Sequence, residues 1–347
     1  MHFGRMKSLR GMTRVAVALA ILAMVVAATP ARAAGDEDTK GWFLTLDAAL
    51  TQPNDLVQQQ TNRTDSSFED QFFTIIVNST STLVFDSDPD FTGAIKFGYA
   101  FGNGLGKLQV SFWGFDDTIS GSGFTDDYIY YNVYGYSFAY TYQGATQAKI
   151  NVKASTFDVD YLRSYAVGKK TTVTWLAGLR SATYEETRDS LGTLEAYGYY
   201  PYVYETETIQ AHKHFKADAL GLRLGAAVKF GFTEHFGLEG SGTYSFLQAK
   251  TQGDSSALTE FSVRPRRNLE TRSGVDDNVR GEMREYDLKA CWSYGMMDYF
   301  VGYRMESWEG LVVDPLVATP ANPFDRSRDT ISFNSLHAGV TFKFGQH

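Results

Sequence analysis

Leu336-His337-Ala338-Gly339-Val340-Thr341-Phe342-Lys343-Phe344 decides how this chain is read. Apolar Leu336, Ala338, Val340, Phe342 and Phe344 alternate strictly with His337, Gly339, Thr341 and Lys343. Side chains along a β-strand point alternately to opposite faces, so the segment predicts a strand with one oily face and one wet face. A soluble antiparallel sheet shows the same alternation. The choice between soluble sheet and membrane barrel therefore rests on the rest of the chain.

At the other end, Arg5, Lys7, Arg10 and Arg14 precede a 14-residue apolar run, Val15 to Ala28, followed by Ala31-Arg32-Ala33. That is the pattern of a secretory signal peptide, with cleavage expected after Ala33 and residues 34–347 forming a single domain. The run is short for a spanning helix, which needs about 20 residues. Loss of the five basic residues Arg5, Lys7, Arg10, Arg14 and Arg32 moves the formal charge from -8 to -13. Such acidity argues against nucleic acid as a partner, because phosphates need a basic surface. The lone Cys291 forms no intramolecular disulfide and is read as a small wall residue. After the leader, no apolar run is long enough to cross a membrane as a helix. A membrane protein of this sequence must then be a closed barrel, the other way to pair every backbone polar group in lipid.

Period-2 alternation predicts about ten strands, near 42–51, 90–101, 107–115, 148–165, 172–184, 215–232, 236–249, 283–294, 299–308 and 331–344. Their connections alternate in length. Gly102 to Gly106, Val167 to Lys170, Thr233 to His235 and Gly295 to Asp298 are tight turns, whereas 52–89, 116–147, 185–214, 250–282 and 309–330 are long. Short periplasmic turns and long extracellular loops are the habit of outer-membrane barrels. Phe72 to Val77 and Leu83 to Phe85, flanking Asn78 to Thr82, suggest one more hairpin and an alternative count of twelve. The expected fold is all-β, a closed antiparallel transmembrane barrel in the cell outer membrane.

Gly339, Phe342 and Phe344 resemble the carboxy-terminal signal that the bacterial barrel-assembly machinery reads, although Gly345, Gln346 and His347 follow the last aromatic. Beyond that signal, the chain resembles the pore-forming outer-membrane proteins of the Legionella major outer-membrane protein type. Three passages carry the likeness: Gly41-Trp42-Phe43-Leu44-Thr45-Leu46-Asp47-Ala48, Trp175-Leu176-Ala177-Gly178-Leu179-Arg180, and the closing strand. The resemblance implies a pore-forming barrel and supplies no catalytic or ligand-binding residue.

Face assignment places Lys96, Arg180, Arg223, Lys229, Lys289, Arg304 and Lys343 in the lumen, with Asp47, Asp158, Asp160, Glu239, Asp287 and Glu306 as the inward acids. Two readings stay open. Either these charges form a constriction that selects small hydrophilic solutes, or they pair across a narrow interior and plug it. Tyr128, Tyr130, Tyr134, Tyr136, Tyr140 and Tyr142 recur at even positions in the second long connection, which predicts strand there. Such rings either extend the barrel wall and its interfacial girdle or form a surface that binds sugars or proteins.

Asp126-Asp127 and His212-x-His214 invite comparison with the acidic and Asp-His pairs of the omptin proteases, but the surrounding pattern is absent and no third metal ligand is set by spacing. Arg264, Arg266, Arg267 and Arg272 suit either lipopolysaccharide phosphates or nearby acids. No catalytic residue, cofactor or metal is expected. The function expected from sequence is passive diffusion of small hydrophilic solutes through a narrow pore, and the alternative is surface binding on a plugged barrel. Lipid, lipopolysaccharide and the assembly machinery are the expected partners; the sequence sets no oligomeric state.

Overall fold

The structure, a computed structural model, describes residues 40–53, 60–70, 73–86, 88–102, 105–133, 136–198, 204–261, 268–313 and 328–345. The signal-peptide assignment, Arg264, Arg266, Arg267 and Tyr134 lie outside them. Twelve strands follow in order: β1 (Gly41–Pro53), β2 (Gln60–Asp70), β3 (Phe73–Asp86), β4 (Asp90–Ala100), β5 (Lys107–Val133), β6 (Tyr136–Ala166), β7 (Thr171–Gly198), β8 (Tyr204–Gly231), β9 (Phe236–Phe261), β10 (Asn268–Tyr294), β11 (Met297–Val313) and β12 (Arg328–Phe344).

Ten of them, β1 and β4 to β12, close an antiparallel ring. β12 returns to pair with β1 from Trp42↔Phe344 to Pro53↔Phe333, and β1 pairs on its other edge with β4. The fold is a closed antiparallel transmembrane β-barrel. β2 and β3 form a hairpin outside the ring, with β3 lying along Ser120 to Val133 of β5, beyond the end of β4.

The hairpin does not turn where the sequence suggests. β3 runs unbroken through Asn78 to Thr82, and the reversal falls between Asp70 and Phe73. Asn78 to Thr82 holds no Gly or Pro, and its Ser and Thr residues suit a strand that is paired along both edges. Most of the long connections are also strand. β5 to β10 have 26 to 31 residues each, against the about 9–11 that cross a bilayer's hydrocarbon. The four tight connections lie together at the opposite end, where Gly168 (φ 80°) and Gly295 (φ 59°) supply the left-handed backbone that side chains resist.

Two regimes divide the wall. In the β8 stretch nearest the short turns, Leu220, Leu222, Leu224, Val228 and Phe230 face outward, Leu220 being 62% exposed, while Arg223 is buried within. From Ala219 toward the long hairpins the sense reverses: Phe215, Ala217 and Ala219 are buried inside, and Lys216 and Asp218 pair outside at 2.8 Å. β6 and β7 reverse at the same level. Phe157, Val159 and Leu179 face out beside inward Asp158, Asp160 and Arg180; beyond them Ile150, Val152, Ala154, Ala182 and Tyr184 are buried. Outside that second stretch, Asp116, Lys153, Glu185 and Lys216 form one cross-strand row of alternating charge, a pattern that stabilises a water-facing sheet.

An exposed apolar band around a closed barrel needs lipid, and a charged outer face with an apolar interior needs water. The band is edged at the short-turn end by aromatic residues such as Trp42, Tyr165, Trp175, Tyr294 and Phe344. Trp42 stacks on Phe97 at 5.1 Å and meets Tyr99 edge-on at 4.8 Å, as interfacial rings do.

Candidate functional site: a two-layer lumen

The lumen begins at the short turns as a chamber of about 980 Å³, which reaches up to Trp113, Thr156 and Glu306. Every lumen residue expected from sequence sits on the inward row of its strand. Lys96, Arg180, Arg223, Lys229, Glu239, Asp287, Lys289, Arg304, Glu306, Lys343 and Asp158 line this chamber, and Asp47 and Asp160 are buried beside it.

Most of these charges are bound to one another. Arg180 grips Asp158 with Nε and Nη2, at 2.7 and 2.8 Å, the forked geometry that favours arginine over lysine. Arg223 donates to Asp160 and lies 3.1 Å from Asp158. Arg304 donates to Asp47 at 2.6 Å. Lys289 bridges Glu239 at 3.2 Å and Asp287 at 3.3 Å, and Lys343 binds Asp298 at 2.8 Å.

Two further residues, outside the lumen set expected from sequence, are central to the network. Glu285 on β10 accepts from Arg180 at 3.1 Å and Arg223 at 2.9 Å, with Arg304 Nε 3.8 Å away, so one carboxylate gathers three guanidinium groups. His337 lies with Nδ1 3.1 Å from Asp47 and Nε2 2.9 Å from Asp287, joining β12 to β1 and β10. Glu285 shares an inward row with Asp287, and His337 shares one with Lys343, so the alternation alone identifies them.

Above the ionic layer the lumen is filled with apolar side chains. Trp113 on β5 lies 6.5 Å from Trp308 on β11 and 5.6 Å from Phe333 on β12; Tyr184 on β7 lies 6.4 Å from Trp308 and 6.2 Å from Phe215. β5 and β11 are four strands apart around the ring, as are β7 and β11, so these rings meet across the interior. Ala94, Ala154, Ala182, Ala217, Ala219 and Ala249 leave room for them, the large-and-small alternation by which a small barrel fills itself. Trp308 is 1% exposed. Its indole N–H donates to Glu306 below at 2.7 Å, and the Tyr184 hydroxyl donates to Glu186 above at 2.8 Å. The polar tips of the core rings thus satisfy the charges that bound the layer on each side.

The remaining candidates fall elsewhere. Phe342 and Phe344 face outward at the short-turn end, 6.4 Å apart, and the Phe300 ring lies over Gly339, leaving no space for a side chain there. The backbones of Tyr128, Tyr130, Tyr136, Tyr140 and Tyr142 belong to β5 and β6 and pair across that hairpin, from Tyr128↔Thr141 to Val133↔Tyr136. His212 pairs with Asp189 at 2.7 Å, and His214 lies 3.4 Å from Glu185 and 3.7 Å from Asp254, all on the outer face of the wall. Among the described residues no group of three or more His, Cys, Asp or Glu converges as a metal site would.

No family model matches the chain, and no curated protein matches it. Solved structures similar to it include the outer-membrane protease OmpT from Escherichia coli, with 12% identity over 91% of this chain and 99% of that one and a TM-score of 0.41. The CymD monoaromatic hydrocarbon channel is 8% identical over 90% of each chain, with a TM-score of 0.23. A Pseudomonas aeruginosa FadL homologue is 9% identical over 89% and 91%, with a TM-score of 0.19. These neighbours are outer-membrane barrels, channels and transporters among them, and the likeness is one of general architecture.

Proposed function

We propose that the protein is an outer-membrane β-barrel, closed to free diffusion, that carries a water-soluble β-stem above the cell surface on a lipid-embedded base. One observation carries this reading: the inner and outer faces exchange character at the same level on neighbouring strands. Below that level the barrel is built for lipid. Above it the barrel is built like a soluble protein around the apolar core of Trp113, Tyr184, Phe215, Trp308 and Phe333, so closure of the lumen is part of what folds the stem. The short turns then face the periplasm and the hairpins the exterior. Lipid against the apolar band, lipopolysaccharide against the charged collar, and the assembly machinery at Gly339, Phe342 and Phe344 are the partners this implies.

Two results test it. The mature protein is expected in the outer-membrane fraction with heat-modifiable gel mobility, because a closed hydrogen-bonded barrel resists detergent until heated. An impermeant amine reagent applied to intact cells is expected to label Lys216 and Lys250, which face outward above the lipid band. Recovery as a soluble periplasmic protein, or labelling of these lysines only after the outer membrane is broken, would sink it.

A pore remains the second reading, favoured by the charge-lined chamber and by the resemblance to the Legionella major outer-membrane proteins. On that reading the apolar layer parts during conduction and the arginine layer sets selectivity. Arg223→Gln is then expected to shift the reversal potential in a salt gradient toward cations.

A further inference from the structure

We infer that the upper edge of β10, on the side away from β9, is a homophilic docking surface where a second copy of this chain, carried by an apposed membrane, pairs antiparallel. It rests on the reading of the stem as surface-exposed, and on where β10 loses a neighbour. β9 accompanies β10 from Asn268↔Glu260 to Trp292↔Phe236, whereas β11 pairs with it only from Glu282↔Glu309 to Tyr294↔Met297. At Gly310 (φ 72°) β11 turns away, and the buried Leu311 lies over Gly281. Among the described residues no strand continues the sheet beside Asn268 to Gly281. Backbone groups along such an edge are a template for another strand.

The sequence of the edge points to its own copy. Arg272, Gly274, Asp276, Asn278 and Arg280 stand exposed on the outer row, Asp276 at 68% even with Lys250 3.8 Å away. In a two-fold contact, residue i of one copy meets j of the other and j meets i. With Gly274 on the axis, Arg272 lies opposite Asp276 twice, Glu270 opposite Asn278 and Asn268 opposite Arg280. Opposite charges meet and like charges do not. Sliding the copies by four residues, to an axis at Asp276, sets Arg272 against Arg280 and Asp276 against itself. Gly274 decides between its own register and the one centred on Val275, which also keeps like charges apart. A Cβ at Gly274 would meet no atom nearer than 3.6 Å, so β10 itself does not demand glycine there, and glycine inside a strand marks the close approach of another backbone.

Strand direction places the second copy. β10 descends from Asn268 in the stem to Tyr294 at the short turns, and copies in one membrane carry it in the same direction. An antiparallel partner is inverted by a two-fold axis lying along the membrane plane, so it stands in a facing membrane. Gly274 lies twelve residues beyond Tyr286, which is exposed in the apolar band. That is about 40 Å of strand, so the two membranes stand roughly 80 Å apart or less.

The test uses the mature full chain with Cys291→Ser, one barrel per lipid nanodisc. This parent protein is expected to dimerise reversibly in sedimentation velocity, less so at high salt, with the two discs at opposite ends of the particle in electron micrographs. Mild oxidation is expected to cross-link Gly274→Cys to itself, because opposed Cα atoms of an antiparallel pair lie within disulfide reach, and Asn278→Cys at least several-fold less. Arg272→Asp is expected to weaken the dimer by on the order of tenfold, and Arg272→Asp/Asp276→Arg to restore it. Heat-modifiable mobility shows each variant folded; where one is not, the parent protein decides. No dimer of the parent, equal cross-linking at Gly274→Cys and Asn278→Cys, no rescue by the charge swap, or discs side by side overturns the proposal. Labelling of Lys216 and Lys250 on intact cells reads the surface location separately, so loss of that reading and loss of the pairing are told apart.

Discussion

The lower and upper halves of the lumen are built by the same strands and solve opposite problems. In the lower half the outer face is surrounded by lipid, so the polar residues of each strand have only the interior to occupy. There they neutralise one another around Glu285 and His337. In the upper half the wall stands in water on its outer side, so the interior takes the apolar residues and becomes an ordinary core. Ionic pairing in a narrow interior mainly avoids the cost of isolated buried charge; apolar filling provides net stabilisation through burial and close packing. The two layers should therefore respond differently to the loss of one side chain.

The largest effect is expected in the upper layer. Trp308→Ala removes the ring that touches Trp113, Tyr184 and Phe333, and a loss of about 3–5 kcal/mol is expected. Denaturant titration of the folded barrel, followed by tryptophan fluorescence and gel mobility, measures it. A change under about 1 kcal/mol would show that the apolar layer is not the core of the stem.

Next comes the ionic layer. Glu285→Gln leaves three guanidinium groups without their shared carboxylate charge, and a cost of about 3 kcal/mol is expected. A compensating Arg180→Gln in the same chain should recover part of that loss, whereas simple addition of the two penalties would contradict a shared network. Phe344→Ala lies at the lipid-facing end of β12 and is expected to lower the amount of inserted barrel in cells more than the stability of the barrel once folded. Quantitative blotting of the heat-modifiable form checks this, and an unchanged inserted amount would remove Phe344 from the assembly signal. The smallest effect is expected on the outer collar, where Asp189→Ala breaks an exposed pair with His212 and should change stability by no more than about 0.5 kcal/mol.

Much of this was readable in the chain. Wherever lipid fixes the outer face, apolar and polar residues alternate in one phase, and Lys96, Arg180, Arg223 and Arg304 lie on the row that this phase turns inward. The even run of tyrosines announces strand on both sides of residues 134–135, but as one strand; instead it divides between β5, which ends at Val133, and β6, which begins at Tyr136 and pairs back on it. What escaped is the change of phase. In β8 the pair Ala219-Leu220 puts apolar residues on both faces in succession, and beyond it Phe215 and Ala217 occupy the same inward row as Arg223. Phe215 and Ala217 lie inside the expected strand 215–232, but a single phase puts charged residues inward there and does not announce that the inward row turns apolar. The ring contacts of Trp113, Trp308 and Phe333 join strands far apart in sequence, so no local pattern announces their meeting. Glu285 and His337 lay within reach of the alternation; their role as hubs depends on which strands face one another across the lumen.

Whether the apolar layer seals the lumen is decided by single-channel recording of the purified, heat-modifiable wild type in a planar bilayer. A sealed lumen gives a quiet membrane with no sustained steps, and steps are expected from the Trp308→Ala/Phe333→Ala variant wherever that variant still yields folded barrel. Sustained ohmic steps from the wild type would contradict the seal and transfer the lumen to the pore reading.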